Sequence, residues 1–586
     1  MKFPYLDNIP KERIMTDAFR GYDHVDKVRE GAFYDMKNIS TELYPTLAPR
    51  RRRGIENSFT NFQGMIEKDG NFCVVDDGKL YIAGEEREGF SLDTTTFKTI
   101  VAMGAILVFF PDKKWYNTAD DTYGSMENFF SATGSVSFTL CGADGSAITW
   151  HDAAYYESHT PQNGDYKMET TNGRTTLSVY SSATGLWAIV ATTYMKISVS
   201  GIDAGLKEGD GVKVIVNLSG ITWDYAKNIF VNDEGDGKRS NTFPIKSVGT
   251  DYIIVPALLD ENKTISISIE ANRNVPDIEY VCECQNRLWG CSPDGHEIYC
   301  CKLGDVTNWN VFQGISTDSW AATIGSDGVF TGAISYMGNP IFFKENSIIR
   351  ISISSIGAHQ TKETLARGVE EGSSKSLVQL NEVLLYKSHN AVCLYDGSFP
   401  QEISQSLGGV RYHSAIGGSI NNRYYINMVD ENDKYHLFVY DIVTNLWARE
   451  DDIEVDQFCR VRNDLAIASG NVLYSVFHKE WQPQLESPLD WMVESGNIGY
   501  EVAEKKYVSK LNIRMQLETE SYVALYLNYD SSDKWEFQWD MSGKGTKTFT
   551  IPVRPHRCDH FRYMLKGHGD CKVFGIFRSI TEGSDM

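Results

Sequence analysis

Residues 286–300, NRLWGCSPDGHEIYC, carry the sequence pattern from which the fold can be predicted. Two short apolar segments, at 288–290 and 298–300, flank the turn residues Pro293, Asp294 and Gly295. Proline presets the backbone φ at the first corner of a turn, and glycine adopts the conformation that closes it. The stretch therefore predicts a β-hairpin.

Hairpins of this kind recur along the chain. Turn residues lead into apolar segments at 76–82, 111–116 and 387–397. Units of this type, spaced by roughly 40 to 50 residues, have the length of a propeller blade. Counted over 58–130 and 276–478, they give a β-propeller-like body with six to seven blades. A repeated hairpin favours such an architecture over an enzyme core with one special loop.

Three other segments flank or interrupt the predicted propeller. Residues 1–57 have little periodicity and are predicted to form an extended N-terminal arm. Residues 131–275 are richer in Thr, Ser and Gly, and their short alternating strands predict a small inserted β-barrel or sandwich. Longer strands in 479–586 predict a C-terminal β-sandwich. Because helical periodicity is scarce, the expected fold class is all-β.

Length and charge limit the possible functions. A chain of 586 residues is too long for one hydrophobic core. A net charge of −22 argues against a protein that coats DNA, which needs a broad basic surface. An acidic wall along which a duplex slides is compatible with this charge, and so is a secreted enzyme.

The cysteines and the N-terminus indicate a compartment. The 11 cysteines, an odd number, lie largely in strand-like segments, which favours free thiols in a reducing environment. The N-terminus lacks the pattern of a signal peptide, and no apolar run is long enough to span a bilayer. We therefore expect a soluble protein, made in a cytoplasm and without a membrane span.

Local motifs do not predict catalysis or metal binding. Ser292-Pro293-Asp294-Gly295 begins like the repeat of sialidase-type propellers but lacks the required Trp, and Asp and Gly are common in turns for backbone reasons. Residues 368–376 (GVEEGSSKS) have Gly and Lys in the wrong order for a phosphate loop and are predicted to connect two blades. Cys282-Glu283-Cys284 and Cys300-Cys301 are spaced too closely for a zinc knuckle. The sequence thus predicts a protein that is not an enzyme, with no metal and no cofactor.

One run of basic residues stands out. Arg50, Arg51, Arg52 and Arg53 follow one another at the end of the predicted arm. They are candidates for contact with a neighbouring subunit or with DNA phosphates. On so acidic a chain, the carboxylates of a sister subunit are the favoured partners. A solvated run in a flexible arm is the alternative.

Five segments of the predicted arm and propeller carry a family resemblance: 38–50 (NISTELYPTLAPR), 110–118 (FPDKKWYNT), 286–290 (NRLWG), 304–309 (GDVTNW) and 367–373 (RGVEEGS). They resemble the tail nozzle family of short-tailed bacteriophages, which includes tail tubular protein B and the packaged-DNA stabilisation proteins. The insertion at 131–275 is not matched, and the C-terminal sandwich is matched only loosely.

The resemblance implies a structural virion protein in the phage tail. It implies a homo-oligomeric ring, expected to be hexameric, that forms a nozzle with a tail adaptor and other tail proteins. The nozzle retains packaged double-stranded DNA and conducts it through its lumen during ejection. Rings form through heterologous contacts that close by rotation, which suits an arm that reaches a neighbour.

A second hypothesis is a carbohydrate-binding or glycoside-cleaving propeller that recognises a host receptor. Aromatic side chains at Trp150-His151-Asp152 and Trp223-Asp224-Tyr225 have the flat apolar surface that stacks on sugars.

Overall fold

The computed structural model describes residues 11–582, apart from 222, 225, 355–357, 478–483, 500–504 and 555. Its regular structure is almost entirely β-strand in mostly antiparallel sheets, which confirms the prediction of an all-β fold. Helical structure in the described residues is limited to the short segments Tyr155–Ser158, Ala226–Ile229, Ser374–Ser376 and Gln405–Leu407.

Seven four-stranded sheets form the central body, and we call them blades 1 to 7. In blades 1 to 6 the four strands are consecutive in the chain, so that each blade is an antiparallel meander. In pairing order, blade 1 consists of Phe62–Lys68, Asn71–Asp76, Lys79–Ile82 and Glu85–Ser91, and blade 2 of Thr99–Met103, Ile106–Phe110, Lys114–Asn117 and Tyr123–Ser125. Blade 3 consists of Tyr280–Glu283, Leu288–Cys291, Glu297–Cys300 and Trp320–Thr323, blade 4 of Phe330–Tyr336, Asn339–Lys344, Ser347–Ile353 and His359–Leu365, and blade 5 of Val378–Leu380, Val383–Lys387, Val392–Tyr395 and Gln401–Glu402. Blade 6 consists of Tyr412–Ile420, Arg423–Asp430, Tyr435–Asp441 and Leu446–Arg449, and blade 7 of Gln457–Val461, Asp464–Ser469, Val472–Ser475 and Gly54–Ser58.

The blades form a closed ring through their first strands. The first strand of each blade contacts the first strand of the next, and blade 7 contacts blade 1. Between blades 4 and 5 the contact passes through the turn Ser374–Ser376. This cyclic order is that of a seven-bladed β-propeller whose first strands line the axis. The fourth strand of blade 7 comes from the N-terminal segment, Gly54–Ser58, so the two ends of the propeller sequence close the ring together.

The hairpin at 286–300 explains why successive blades pack together. Leu288 and Trp289 point to opposite faces of blade 3, as neighbouring residues of a strand must. Leu288 joins the core between blades 2 and 3, whereas Trp289 joins the core between blades 3 and 4. Arg287, 3% exposed, donates hydrogen bonds to the carbonyls of Cys301 and Asp318 at 2.9 and 2.6 Å. A single hairpin therefore supplies both interfaces of its blade.

The insertion enters between blades 2 and 3 and contains two sheets around one apolar core. Asp210, between Gly209 and Gly211, is fully buried and forms an ion pair of 2.7 Å with Arg273 at the end of the insertion. The large sheet, in pairing order, consists of Asn232–Gly235, Lys238–Pro244, Gly211–Asn217, Lys263–Arg273, Asn128–Cys141, Tyr194–Ser198, Tyr252–Pro256 and Ser247–Gly249, and the small sheet of Trp150–Asp152, Tyr166–Thr171, Arg174–Ser181 and Leu186–Ile189.

Two facing sheets form the C-terminal part of the fold. Their core continues through Tyr22 into Phe438 and Trp447 of blade 6. One sheet, in pairing order, consists of Lys11–Thr16, Cys571–Glu582, Lys506–Leu517 and Gly545–Pro552, and the other of Phe33–Lys37, Asp490–Ser495, Phe561–His568, Tyr522–Tyr529 and Glu536–Ser542.

The segment predicted as an extended arm is built into three sheets. Lys11–Thr16 and Phe33–Lys37 each complete one C-terminal sheet, and Gly54–Ser58 completes blade 7. Ile39–Ser40 and Ala48–Pro49 pair with each other between these positions. The segment lacks sequence periodicity because its strands belong to different sheets, each with its own buried face.

Candidate functional sites

The predicted basic site lies at the junction of the N-terminal segment, blade 6 and the strand that opens the C-terminal part. Arg50 and Arg53 are buried, with 5% and 1% of their surface exposed. Arg50 donates to Glu486 at 2.6 Å and to Asp451 at 2.9 Å. Arg53 donates to Glu450 at 2.6 Å and to Asp451 at 2.8 Å. Both guanidinium groups are therefore matched by carboxylates of their own chain.

Pairing with opposite charges shifts the pKa values of Arg53 and Asp451 against the effect of burial. Burial alone would lower the pKa of Arg53, but Asp451, Glu450 and Glu486 raise it above its usual value. Burial alone would raise the pKa of Asp451, but Arg53 and Arg50 lower it. For Arg53 and Asp451, pairing with opposite charges therefore outweighs the cost of burial and favours the charged forms.

Arg51 and Arg52 face the surface at the same junction. Arg51, with 62% of its side chain exposed, pairs with Glu42 at 2.5 Å, and Arg52 is half-buried and donates to the carbonyl of Glu486 at 3.3 Å. Both line a cavity of about 540 Å³ that also includes Lys572 of the C-terminal part. Contact of Arg50 to Arg53 with a subunit or with DNA stays a prediction, and only Arg51 and Arg52 present substantial surface for it.

A second cluster lies at one end of the propeller axis and joins three blades. Phe97, Lys375 and Asp456 precede the first strands of blades 2, 5 and 7. Lys375 Nζ lies 3.4 Å from the centre of the Phe97 ring and 3.2 Å from the backbone oxygen of Asp456. Because these positions adjoin the strands that line the axis, the cluster lies at one end of that axis. We call this cluster the axial mouth.

The axial mouth could not be found from a local motif. Its residues are about 80 to 360 positions apart in sequence and meet only because a propeller brings the starts of all blades to one axis. The loop 368–376, predicted to connect two blades, does connect blades 4 and 5 and carries Lys375.

A third cluster consists of aromatic residues on the small sheet of the insertion. Trp187 packs against Tyr180, its cross-strand neighbour, and against Tyr156, with ring centres 5.2 and 4.9 Å apart. Tyr155 stacks between His151 and His159 at 3.7 and 4.0 Å. His151 and Tyr155 are exposed, and Trp187 is half-buried. We call these six residues the aromatic face.

The other predicted sugar-stacking segment is placed differently. Trp223 is buried in the core of the insertion, with 4% of its surface exposed, and Tyr225 lies outside the described residues. Trp150 also packs against that core, which leaves His151 as the residue of its segment that reaches the aromatic face. Trp223 is buried and Trp150 is half-buried because both pack against the apolar strands of the insertion.

Metal ligands and membrane spans were also expected to be absent. In the part of the chain that the structure describes, no three His, Cys, Asp or Glu side chains are grouped to hold a metal ion. Over the same residues no helix has the length and apolarity that crossing a membrane would require. The 11 cysteines are free thiols, and all but Cys459 are buried.

Comparison with known proteins gives few matches. No protein-family model matches the sequence, and no curated protein matches it. Among solved structures, the chain is similar to an exo-β-1,3-galactanase from Phanerochaete chrysosporium crystallised with galactose, at 9% identity and a TM-score of 0.21, over 51% of this chain and 95% of that chain. It is also similar to a bifunctional GH43-CE protein from Bacteroides eggerthii, at 9% identity and a TM-score of 0.20, over 53% and 63%.

The comparison contradicts one expectation from the sequence. The matched galactanase is an enzyme, and this match contradicts the prediction that the present protein is not an enzyme. The prediction rested on local sequence motifs alone. A propeller brings residues from distant blades together at its axis, and local motifs do not reveal such a site. At TM-scores near 0.2 the likeness does not transfer an activity to this chain, and the description of the propeller rests on its own strand contacts.

Proposed function

We propose that this protein is a structural subunit of a ring-shaped tail nozzle in the virion of a short-tailed bacteriophage, where it retains packaged DNA and conducts it during ejection. The observation that carries the proposal is the position of the segments that resemble the nozzle family. They lie in blades 2 and 3, in the connection between blades 4 and 5, and in the N-terminal segment that joins propeller and C-terminal part. The resemblance therefore falls within the propeller and the N-terminal segment, and not in the insertion.

Buried side chains within these segments support the same proposal. Trp289 and Trp309 are fully buried in the cores on either side of blade 3, and Glu370 is buried in an ion pair with Lys387 at 3.1 Å. Residues of this kind maintain a rigid wall. The whole chain has a net charge of −22, and in this proposal a lumen lined by such acidic subunits repels phosphate and lets a duplex slide instead of sticking.

The surface arginines offer a contact for ring closure. In this proposal Arg51 and Arg52, with Lys572 at the same cavity, bind carboxylates of the neighbouring subunit. Arg50 and Arg53 hold the fold together and are not available for this contact. The other partners are a tail adaptor, further tail proteins and the DNA in the lumen.

Molar mass in solution tests the proposal. The purified chain of 66.0 kDa is measured by light scattering, alone and with a tail adaptor protein, and imaged by negative stain. Six-fold particles with a central lumen are expected. Arg51→Ala with Arg52→Ala should weaken assembly while leaving the fold intact, and Lys434→Ala, at an exposed lysine of blade 6, is the matched control. A protein that stays monomeric with the adaptor at every concentration contradicts the proposal.

A second candidate function is carbohydrate binding, and the aromatic face is the observation that favours it. Exposed rings beside polar groups form the surface on which sugars stack. Lys167 lies 5.2 Å from the Trp187 ring and pairs with Glu169 at 3.0 Å, which places hydrogen-bonding groups next to the rings. The insertion would then recognise a host glycan.

Calorimetry against host surface polysaccharide tests this candidate, with release of reducing sugar followed in parallel to separate binding from cleavage. Binding that Trp187→Ala weakens at least tenfold supports the aromatic face. Trp539→Ala, at a tryptophan 50% exposed in the C-terminal part, is the control and should bind as the parent does. Equal loss in both variants, or no binding by the parent, rejects it.

A further inference from the structure

The amine of Lys375 occupies an unusual position in the axial mouth. The residue lies in the short turn Ser374–Ser376 and is exposed to water. Its amine nevertheless reaches the ring of Phe97, from the segment before blade 2, and the backbone of Asp456, before blade 7. Phe97 in turn packs on Phe62, with ring centres 5.9 Å apart, so the amine faces the edge of an aromatic cluster.

Some crowded lysines form an ion pair with a carboxylate, and Lys375 differs from them. Lys98 is buried against Asp112 at 2.5 Å, and Lys387 is buried against Glu370 at 3.1 Å. Lys375 forms no ion pair with a carboxylate of the described residues; it donates to a neutral backbone carbonyl. An aromatic ring and one carbonyl stabilise a cation less well than a full hydration shell does.

We propose that Lys375 is a covalent modification site, whose amine accepts acyl groups from activated acyl donors such as thioesters, acyl phosphates and activated esters. In the reaction the amine lone pair attacks the donor carbonyl and forms a C–N bond. The bond from that carbon to sulfur or oxygen breaks, the thiolate, phosphate or alkoxide leaves, and the amine proton passes to water. The product is a neutral amide at the axial mouth.

The protonation equilibrium of Lys375 agrees with this geometry. Although the residue is exposed, the atoms around its amine exclude part of the water, and this desolvation lowers its pKa to about 8 while Asp456 opposes the shift. Asp456 is the charged group that faces the amine, and Lys98, next to Phe97, turns away to Asp112. At pH 7.5 the neutral fraction is about 200-fold larger than that of an ordinary lysine.

Reactivity rises less than the neutral fraction because nucleophilicity falls as basicity falls. If the nucleophilicity of the amine falls with its pKa as steeply as that of a thiol does, the net gain in acylation rate is about tenfold. Acylation would also remove the positive charge at the axial mouth, so its extent can change what the mouth binds.

Limiting acylation of the full chain tests the proposal. Acetyl phosphate and, separately, an acetyl ester of N-hydroxysuccinimide are applied at pH 7.5, and rates at each lysine are read by peptide mass spectrometry. Lys375 should react about tenfold faster than Lys434 and Lys544, which are exposed at surface turns. Between pH 7 and 10 its rate should level off above pH 8 while the rates of the reference lysines continue to rise.

Two variants keep the test decisive. Phe97→Ala opens the surroundings of the amine and should reduce the rate at Lys375 to within about twofold of that at Lys544. Circular dichroism verifies that this variant folds, and Lys375→Arg identifies the modified peptide. Equal rates at Lys375 and Lys544 in the parent protein, or a rate that Phe97→Ala leaves unchanged, overturn the proposal.

Discussion

Replacing Arg53 by methionine tests the role of the buried ion pairs most directly. The side chain of Arg53 is 1% exposed, and its partners Glu450 and Asp451 are 6% and 16% exposed. Methionine fills a similar volume but leaves both carboxylates with Arg50 as their remaining cation. Removing one partner of a buried pair costs about 3–5 kcal/mol, because the other charge stays buried. We expect a loss near the lower end, since Arg50 compensates in part.

Urea unfolding followed by tryptophan fluorescence measures the loss. With a dependence of about 1–3 kcal/mol per molar urea, a loss of 3 kcal/mol moves the midpoint of the propeller transition by about 1 M or more. Hydrogen exchange in Gly54–Ser58 should accelerate as well, since Arg53 immediately precedes the strand that closes blade 7. The exchange measurement locates the effect in the propeller.

Two further variants serve as controls. Arg51→Met removes an exposed ion pair with Glu42 and should cost less than about 1 kcal/mol. Adding Glu450→Gln and Asp451→Asn to Arg53→Met should recover part of the lost stability, because the uncompensated buried charges are removed. If Arg53→Met is no more destabilising than Arg51→Met, the ion pairs do not hold the closure and the reasoning fails.

Three other substitutions follow from the fold. Trp289→Ala should destabilise the propeller by about 3–5 kcal/mol in urea unfolding, because Trp289 is fully buried. Trp539→Ala is the control and should change the stability little. Equal effects of the two substitutions would contradict the packing of blades 3 and 4. Asp210→Ala leaves Arg273 buried without its carboxylate and should cost about 3–5 kcal/mol, measured by exchange in the large sheet of the insertion; exchange that stays slow would refute this. Burial would raise the pKa of Asp430, but hydrogen bonds from His436 and the backbone lower it to about 2. The stability that ionised Asp430 contributes is therefore present above about pH 4 and lost between about pH 4 and 2. Asp430→Asn should therefore reduce the fall of the thermal unfolding midpoint over this pH range. An unchanged dependence of the midpoint on pH would contradict this role of Asp430.

Much of the fold could be predicted from local sequence. The turn at 293–295 and the apolar segments around it specify a hairpin through backbone preferences alone. Repetition of such hairpins gives the blades, because each blade contains only neighbouring strands of the chain. The insertion is recognisable for the same reason, since it interrupts one repeated pattern with another.

The candidate sites were less predictable. The run Arg50 to Arg53 was identified as a charged site, but its neighbours along the chain do not reveal that Glu450, Asp451 and Glu486 lie within reach of it. For Lys375 the sequence predicts only a loop between two blades. The aromatic face combines residues of strands and of a helical turn, and no single segment of the sequence predicts that they pack together.

Local sequence specifies the β-hairpins and the division into propeller, insertion and C-terminal part, because these depend on turns and on alternation over a few residues. The position of the N-terminal segment, the burial of Arg50 and Arg53 and the residues that meet at the axis follow only from the tertiary structure. These features depend on contacts between residues up to several hundred positions apart. Such contacts form only when the ring of blades closes and when buried arginines pair with buried carboxylates.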